Sequence, residues 1–174
     1  MSISLELVSE YNANDIYNFE IENRTYFEET LPSRGDEYYK MEVFKEIIKE
    51  IIIEQNHGEC YMYIIRNKLG KMVGRVNFFS IRNNEVKTVE LGYRIGKNEN
   101  GNGYATEAVR IALEKGFRDY KFEKVEAGTS LDNIGSQRVL EKNGFVITRK
   151  IENHIQINGK WIDSLIFVKM NTDY

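Results

Sequence analysis

Residues 100–105 read Asn-Gly-Asn-Gly-Tyr-Ala and stand directly before a segment with helical periodicity. Glycine has no Cβ and tolerates positive φ angles, so Gly101 and Gly103 would let the backbone approach a ligand closely. The first turn of a helix also presents N–H groups that have no intrahelical partner and attract anions. The loop is therefore a candidate pyrophosphate site, although an isolated Gly-x-Gly more often makes only a tight turn.

The loop differs from the two common nucleotide-binding motifs. It lacks the Lys-Ser/Thr ending of a Walker A motif and the third glycine of the Rossmann fingerprint. Three strand-like segments, residues 61–66, 71–80 and 87–95, precede it, whereas a dinucleotide-binding fold places this loop after its first strand. The sequence therefore favours a different phosphate-bearing ligand.

The segments around the loop indicate one mixed sheet. The three preceding strands are separated by short turn sequences, which predicts an antiparallel meander. The helix after the loop has a single apolar stripe, made by Ala105, Ala108, Val109, Ala112, Leu113 and Phe117. The other predicted elements are strands at 3–8, 124–129, 145–151 and 161–170, and helices that begin near residues 14, 36 and 133.

The last two predicted strands are joined by Asn158-Gly159, a strong hairpin signal. Strands and helices thus follow one another without a linker or an internal repeat. We predict an α+β fold in a single domain, residues 1–174, with a mixed, mostly antiparallel central β-sheet flanked by helices.

Composition and charge argue against several functions. The net charge of -3 gives no reason to bind nucleic acid. Cys60 is the single cysteine, and His57 and His154 lie far apart, so we expect neither disulfides nor a metal. No secretory signal opens the chain, and charged residues interrupt the most apolar run, residues 47–53. We expect a cytoplasmic protein that does not bind membranes; homodimer formation is left open.

Four further motifs extend along most of the chain. Residues 90–93 read Glu-Leu-Gly-Tyr, 103–108 Gly-Tyr-Ala-Thr-Glu-Ala, 133–136 Asn-Ile-Gly-Ser and 141–145 Glu-Lys-Asn-Gly-Phe. With the loop, they resemble the GNAT superfamily of N-acetyltransferases, whose loop pattern is Gln/Arg-x-x-Gly-x-Gly/Ala. Asn100 departs from that pattern by replacing Gln/Arg. The likeness is greatest to the branch that contains the ribosomal-protein N-terminal alanine acetyltransferases.

The resemblance implies the GNAT fold and acetyl-CoA as co-substrate. The sheet would splay at the acetyl-CoA site, where Tyr93, Arg94 and Ile95 would bind the pantetheine arm through their backbone. Asn133 would face acetyl-CoA, or it would act only as a helix N-cap. The pyrophosphate would be held by Asn100, Gly101, Asn102, Gly103, Tyr104, Ala105 and Thr106.

The resemblance also suggests two catalytic residues. Glu90 alternates with the apolar Val89 and Leu91, so it would point to the other face of its strand, where it could take a proton through water. A solvated charge on a strand fits that position equally well. Leu140 stands where many relatives have a tyrosine that protonates the thiolate, which points to Ser136 as the proton donor. An ordinary first-turn serine is the alternative.

The acceptor is expected to be an amine. Residues 23–29 lie where this branch gathers acceptor contacts, so Tyr26, Phe27 and Glu28 are candidate substrate-binding residues; a solvated helix end is the simpler interpretation. The leading hypothesis is acetylation of a protein or peptide N-terminal α-amine. The alternatives are a small-amine acetyltransferase, for a polyamine or an amine-containing antibiotic, and a non-catalytic acetyl-CoA-binding module.

Overall fold

The computed structural model describes residues 2–172, which form a seven-stranded sheet with helices on both faces. The strands are β1 (Ile3–Leu7), β2 (Tyr61–Asn67), β3 (Met72–Asn83), β4 (Lys87–Ile95), β5 (Lys124–Ser130), β6 (Val146–Ile157) and β7 (Lys160–Met170). The longer helices are α1 (Ala13–Thr30), α2 (Met41–Asn56), α3 (Tyr104–Arg118) and α4 (Ile134–Lys142). The predicted mixed α+β architecture is confirmed.

The strands lie in the order β1-β2-β3-β4-β5-β7-β6. Every neighbouring pair is antiparallel except β4 and β5, which are parallel and are joined through α3. A parallel pair needs a crossover connection, and the helix after the glycine loop supplies it. The loop therefore lies at the end of β4, beside the one parallel pair.

Alternation along the strands creates two hydrophobic clusters. Tyr63 and Ile65 of β2 face the cluster that contains the buried stripe of α3, whereas Met62 and Ile64 face the cluster formed with α1 and α2. Successive strand residues point to opposite faces, so one sheet can be covered on both sides. The sheet is therefore packed between two helical layers, and β4 is its central strand.

The sheet opens between β4 and β5. Their pairing runs over Thr88–Lys124, Val89–Val125 and Glu90–Glu126, and it ends there although β4 continues to Ile95. The edge of β4 from Leu91 onward therefore has no strand partner on this side. The splay predicted at this position is confirmed.

Two strands extend further than the sequence pattern indicates. β3 continues past Ser80, whose φ of 50° accompanies a register shift between Phe79 and Arg82. β6 continues to Ile157, again across an irregularity, before the Asn158-Gly159 turn, where both residues have positive φ. Local bulges let pairing resume after the alternation is broken.

Within residues 2–172, no helix has both the length and the apolar character that a bilayer crossing requires.

Candidate active site

A cavity of about 670 Å³ lies at the splay. One wall is the end of α1, another is the end of β4, and the others are the glycine loop with the start of α3 and the exposed side of α4. Most of the predicted site residues line it: Tyr26, Phe27, Tyr93, Arg94, Ile95, Asn100, Gly101, Gly103, Tyr104, Ala105, Thr106, Asn133 and Ser136. The volume is in the range usual for small-molecule sites.

The glycine loop presents a row of free backbone donors. Gly101 and Gly103 have φ angles of 80° and 76°, which explains the glycines, and α3 begins at Tyr104. Within residues 2–172, none of the N–H groups of residues 101–106 donates to a protein acceptor. Free N–H groups at the positive end of a helix dipole bind anions. The loop therefore fits a phosphate group.

Asn100 ties this loop to α1. Its Nδ2 donates to the carbonyl oxygens of Gly96 and Lys97, both at 3.2 Å, and lies 3.0 Å from the Tyr26 hydroxyl oxygen. The short side chain that replaces Gln/Arg thus closes a turn and connects two walls of the cavity. Asn102 does not line the cavity, and its Nδ2 donates to the Glu99 carbonyl at 3.1 Å.

Polar groups from β4 and α4 meet at the cavity. Asn133 caps α4, because its Oδ1 accepts a hydrogen bond from the Ser136 N–H at 3.0 Å. Ser136 Oγ lies 2.8 Å from the Tyr93 hydroxyl, which also donates to the Ser136 carbonyl at 3.2 Å. Burial raises the pKa of Tyr93 to about 12, so its hydroxyl stays protonated at neutral pH. Leu140 is fully buried in the core and offers no proton to the site.

The end of α1 forms the opposite wall. Phe27 is 3% exposed, and the guanidinium carbon of Arg94 lies 4.7 Å from the centre of its ring. The structure does not bring Glu28 to the cavity, because its Oε1 pairs with Arg24 Nε at 3.0 Å and accepts from Ser33 Oγ at 3.2 Å. Tyr26 and Phe27 consequently make an aromatic wall here, with Thr30 and Leu31 beside them.

Glu90 does not line the cavity either. It lies on the face of β4 opposite Val89 and Leu91, as predicted, at the last residue pair before β4 and β5 separate. Its Oε1 is 3.0 Å from Arg82 Nη1, and Arg82 also pairs with Glu126 at 2.8 Å. The carboxylate is thus held at the base of the splay.

Sequence reasoning missed two basic residues of the site. Arg138 and Lys142 line the cavity from α4. Their spacing of four residues places them on one face of the helix. That spacing, read together with the neighbouring Asn133, was the available signal.

Comparisons with known proteins identify the family. Residues 3–146 match the family model described as "Acetyltransferase (GNAT) domain". The chain belongs to the GNAT family. Over 163 residues it is 33% identical to a "Probable N-acetyltransferase YjcK" from Bacillus subtilis. The aligned segment covers 93% of this chain and 90% of the relative. It is an acetyl-CoA-dependent N-acetyltransferase, as the motifs indicated.

Solved structures of GNAT proteins share the whole fold. The ribosomal-protein-S5-alanine acetyltransferase from Vibrio fischeri has a TM-score of 0.94 at 22% identity, covering 100% of this chain and 96% of that one. A spermidine N-acetyltransferase from Vibrio cholerae, in complex with CoA and spermine, has a TM-score of 0.80 at 17% identity. The match covers 97% of this chain and 95% of that one. The expected GNAT fold and the likeness to the ribosomal-protein branch are confirmed.

The fold is thus shared by enzymes with different amine acceptors, so it does not identify the acceptor here. Within residues 2–172, no three His, Cys, Asp or Glu side chains gather in a way that could hold a metal ion. Independence from metal stays a prediction.

Proposed function

We propose that this enzyme acetylates the N-terminal α-amine of a protein or peptide. The choice of an α-amine as the acceptor rests on the charge of the cavity wall. Among the described residues that line the cavity, Glu99 is the one carboxylate, and it is paired with Lys71 at 2.6 Å. A polyamine brings several positive charges and needs carboxylates to receive them, whereas an α-amine that reacts unprotonated does not.

The splay and the glycine loop would bind acetyl-CoA. The backbone of Tyr93, Arg94 and Ile95 would pair with the pantetheine arm as a missing strand would. The free N–H groups of residues 101–106 would bind the pyrophosphate. Arg138 and Lys142 would add positive charge on the α4 side, and Asn133 would hold the α4 end of the site in place.

Bound acetyl-CoA supplies a thioester that is open to attack by an amine. The α-amine of a peptide has a pKa of about 7.7 to 8.0, so roughly a tenth of it is unprotonated at pH 7. This is far more than for a lysine side chain with a pKa of about 10.4, and the demand on a base is correspondingly smaller. Glu90, at the base of the splay, would take the proton released by the amine through water. Ser136 Oγ would donate a proton to the departing sulfur, with the Tyr93 hydroxyl holding it in position.

The aromatic wall at the end of α1 would receive the acceptor. Tyr26 and Phe27 would contact the acceptor chain, and Asn100 would keep Tyr26 next to the glycine loop. Glu28 would act more remotely, through its ion pair with Arg24.

An acceptor screen tests this proposal. Purified enzyme and acetyl-CoA are incubated with short peptides that have free N-termini, with the same peptides formylated, with spermidine and with an aminoglycoside, and released thiol is measured. We expect thiol release with the free peptides alone, and mass spectrometry should place the acetyl group on the α-nitrogen. Turnover of spermidine or the aminoglycoside without turnover of peptides would show a small-amine enzyme.

A further inference from the structure

Arg94 belongs to a buried group of three charges behind the aromatic wall. Its Nη1 donates to Glu20 Oε2 at 3.1 Å. The other carboxylate oxygen, Oε1, lies 3.1 Å from Arg75 Nη1. Glu20 is fully buried, and the side chains of Arg75 and Arg94 are 3% and 13% exposed. One carboxylate therefore pairs with two guanidinium groups.

This group has an excess positive charge. Within residues 2–172, Glu20 is the one carboxylate within 4.0 Å of either guanidinium. Burial and the neighbouring Arg75 lower the pKa of Arg94 to about 10, and Glu20 offsets this only in part. Arg94 consequently stays protonated at neutral pH. Burying a cation without a full counter-charge is unfavourable, so an added anion would be stabilised here.

Only one of the two arginines can meet that anion at the site. Arg94 lines the cavity, and its guanidinium packs on Phe27, which also lines it. Arg75 is on β3 and is not among the lining residues. Arg94 is therefore the member of this group through which the excess charge can reach a molecule in the cavity.

We propose that Arg94 binds an anionic group of the acceptor, so that the preferred substrates are peptides with an acidic residue close to the reacting α-amine. The proposal rests on the proposed function and narrows its substrate class. A guanidinium forms its strongest hydrogen bonds with carboxylate or phosphate oxygens, so an aspartate, a glutamate or a phosphoserine has the required chemistry. A cationic acceptor would be repelled by the same charge.

A peptide series tests the inference on the wild-type enzyme. Each peptide has the same neutral sequence, with Asp, Asn, Glu, Gln, phosphoserine or Ser placed in turn at the second, third or fourth position. At the best position we expect kcat/KM for the acidic peptide to exceed that of its neutral match by about tenfold or more. A preference for phosphoserine alone would mean that Arg94 recognises a phosphate group and not a carboxylate. Equal rates for all peptides would overturn the inference and leave the proposed function intact, whereas no turnover of any peptide would contradict the proposed function itself.

Two variants with the same change in charge test the role of Arg94. In Arg94→Gln, which removes the group that would touch the anion, the ratio of acidic to neutral kcat/KM should fall to about one. Arg75→Gln removes the excess charge but leaves Arg94 in place, so the ratio should fall only in part and stay above that of Arg94→Gln. Because the ratio compares two peptides in the same variant, an altered affinity for acetyl-CoA affects both rates equally and cancels. Arg94→Lys keeps the charge and should retain part of the preference, which covers the case in which Arg94→Gln does not fold. An acidic preference that survives in Arg94→Gln would overturn the inference.

Discussion

The Tyr93 hydroxyl lies 2.8 Å from Ser136 Oγ and joins the end of β4 to the first turn of α4. Many GNAT enzymes place a tyrosine where this chain has Leu140, and Leu140 is fully buried. The two linked hydroxyl groups therefore come from β4 and from the first turn of α4, and not from position 140.

Ser136→Ala should lower kcat by about a hundredfold or more, because proton transfer to a leaving group typically contributes that much. Tyr93→Phe should cost about two- to tenfold, since one neutral hydrogen bond contributes about 0.5–1.5 kcal/mol. The double variant should be no slower than Ser136→Ala, because Tyr93 acts through the serine. Steady-state kinetics on the three variants, with acetyl-CoA affinity measured separately, provide the check. Losses that simply multiply would show that the two hydroxyls act independently.

Gly101→Ala should weaken acetyl-CoA binding by about tenfold or more, because a Cβ at positive φ is strained and would disturb the row of free N–H groups. Gly70→Ala is the matched control. Gly70 has a φ of 77°, close to the 80° of Gly101, and in neither case would a Cβ meet an atom within 4 Å. Calorimetric titration should find Gly70→Ala unchanged in affinity although similarly destabilised. Equal affinities for both variants would rule out the loop as the phosphate site.

Glu90→Gln should reduce kcat by about a hundredfold, with acetyl-CoA affinity nearly unchanged, if the carboxylate takes the proton of the amine. Glu126→Gln serves as the control, because Glu126 shares Arg82 with Glu90. It should remain close to wild type. A loss below about threefold in Glu90→Gln, or equal losses in both variants, would make Glu90 only a member of the surface ion-pair group.

The Cys60 thiol should react slowly in the folded protein. Burial raises its pKa to about 12, with a further contribution from the nearby Glu54 carboxylate. The thiolate is the reactive form, so at pH 8 alkylation by iodoacetamide should be at least about a hundredfold slower than in the denatured chain. The rate should still be rising with pH at pH 10, without a plateau. Alkylation at the same rate in the folded and denatured chains would contradict the partial burial of this side chain.

Local patterns predicted most of the fold. The meander, the apolar stripe of α3 and the Asn158-Gly159 turn are each specified by neighbouring residues, and the structure contains all three. The bulges in β3 and β6 extended strands beyond their predicted ends, because a break in alternation resembles a strand end in the sequence.

The lining of the candidate site was predictable where it is made of backbone and a short motif, as in residues 100–106, whose role in binding acetyl-CoA stays a prediction. It was less predictable where side chains from distant segments meet. Glu20 and Arg94 are 74 positions apart, and neither segment alone indicates an ion pair. Glu28 and Phe27 are adjacent in sequence, yet only Phe27 reaches the cavity, because the direction of a helix end depends on tertiary packing.

The unpaired edge of β4 also bears on self-association. A free strand edge normally recruits another chain, and a partner strand needs to lie about 4.7–4.9 Å away along its full length. Here β5 separates from the edge after Glu126, and residues of α1 and α4 line the opening. An added strand with its side chains would have to lie between these helices and β5, whereas a slender flexible arm needs less room. The opening that we propose for the co-substrate is therefore a poor place for edge-to-edge association with a second chain.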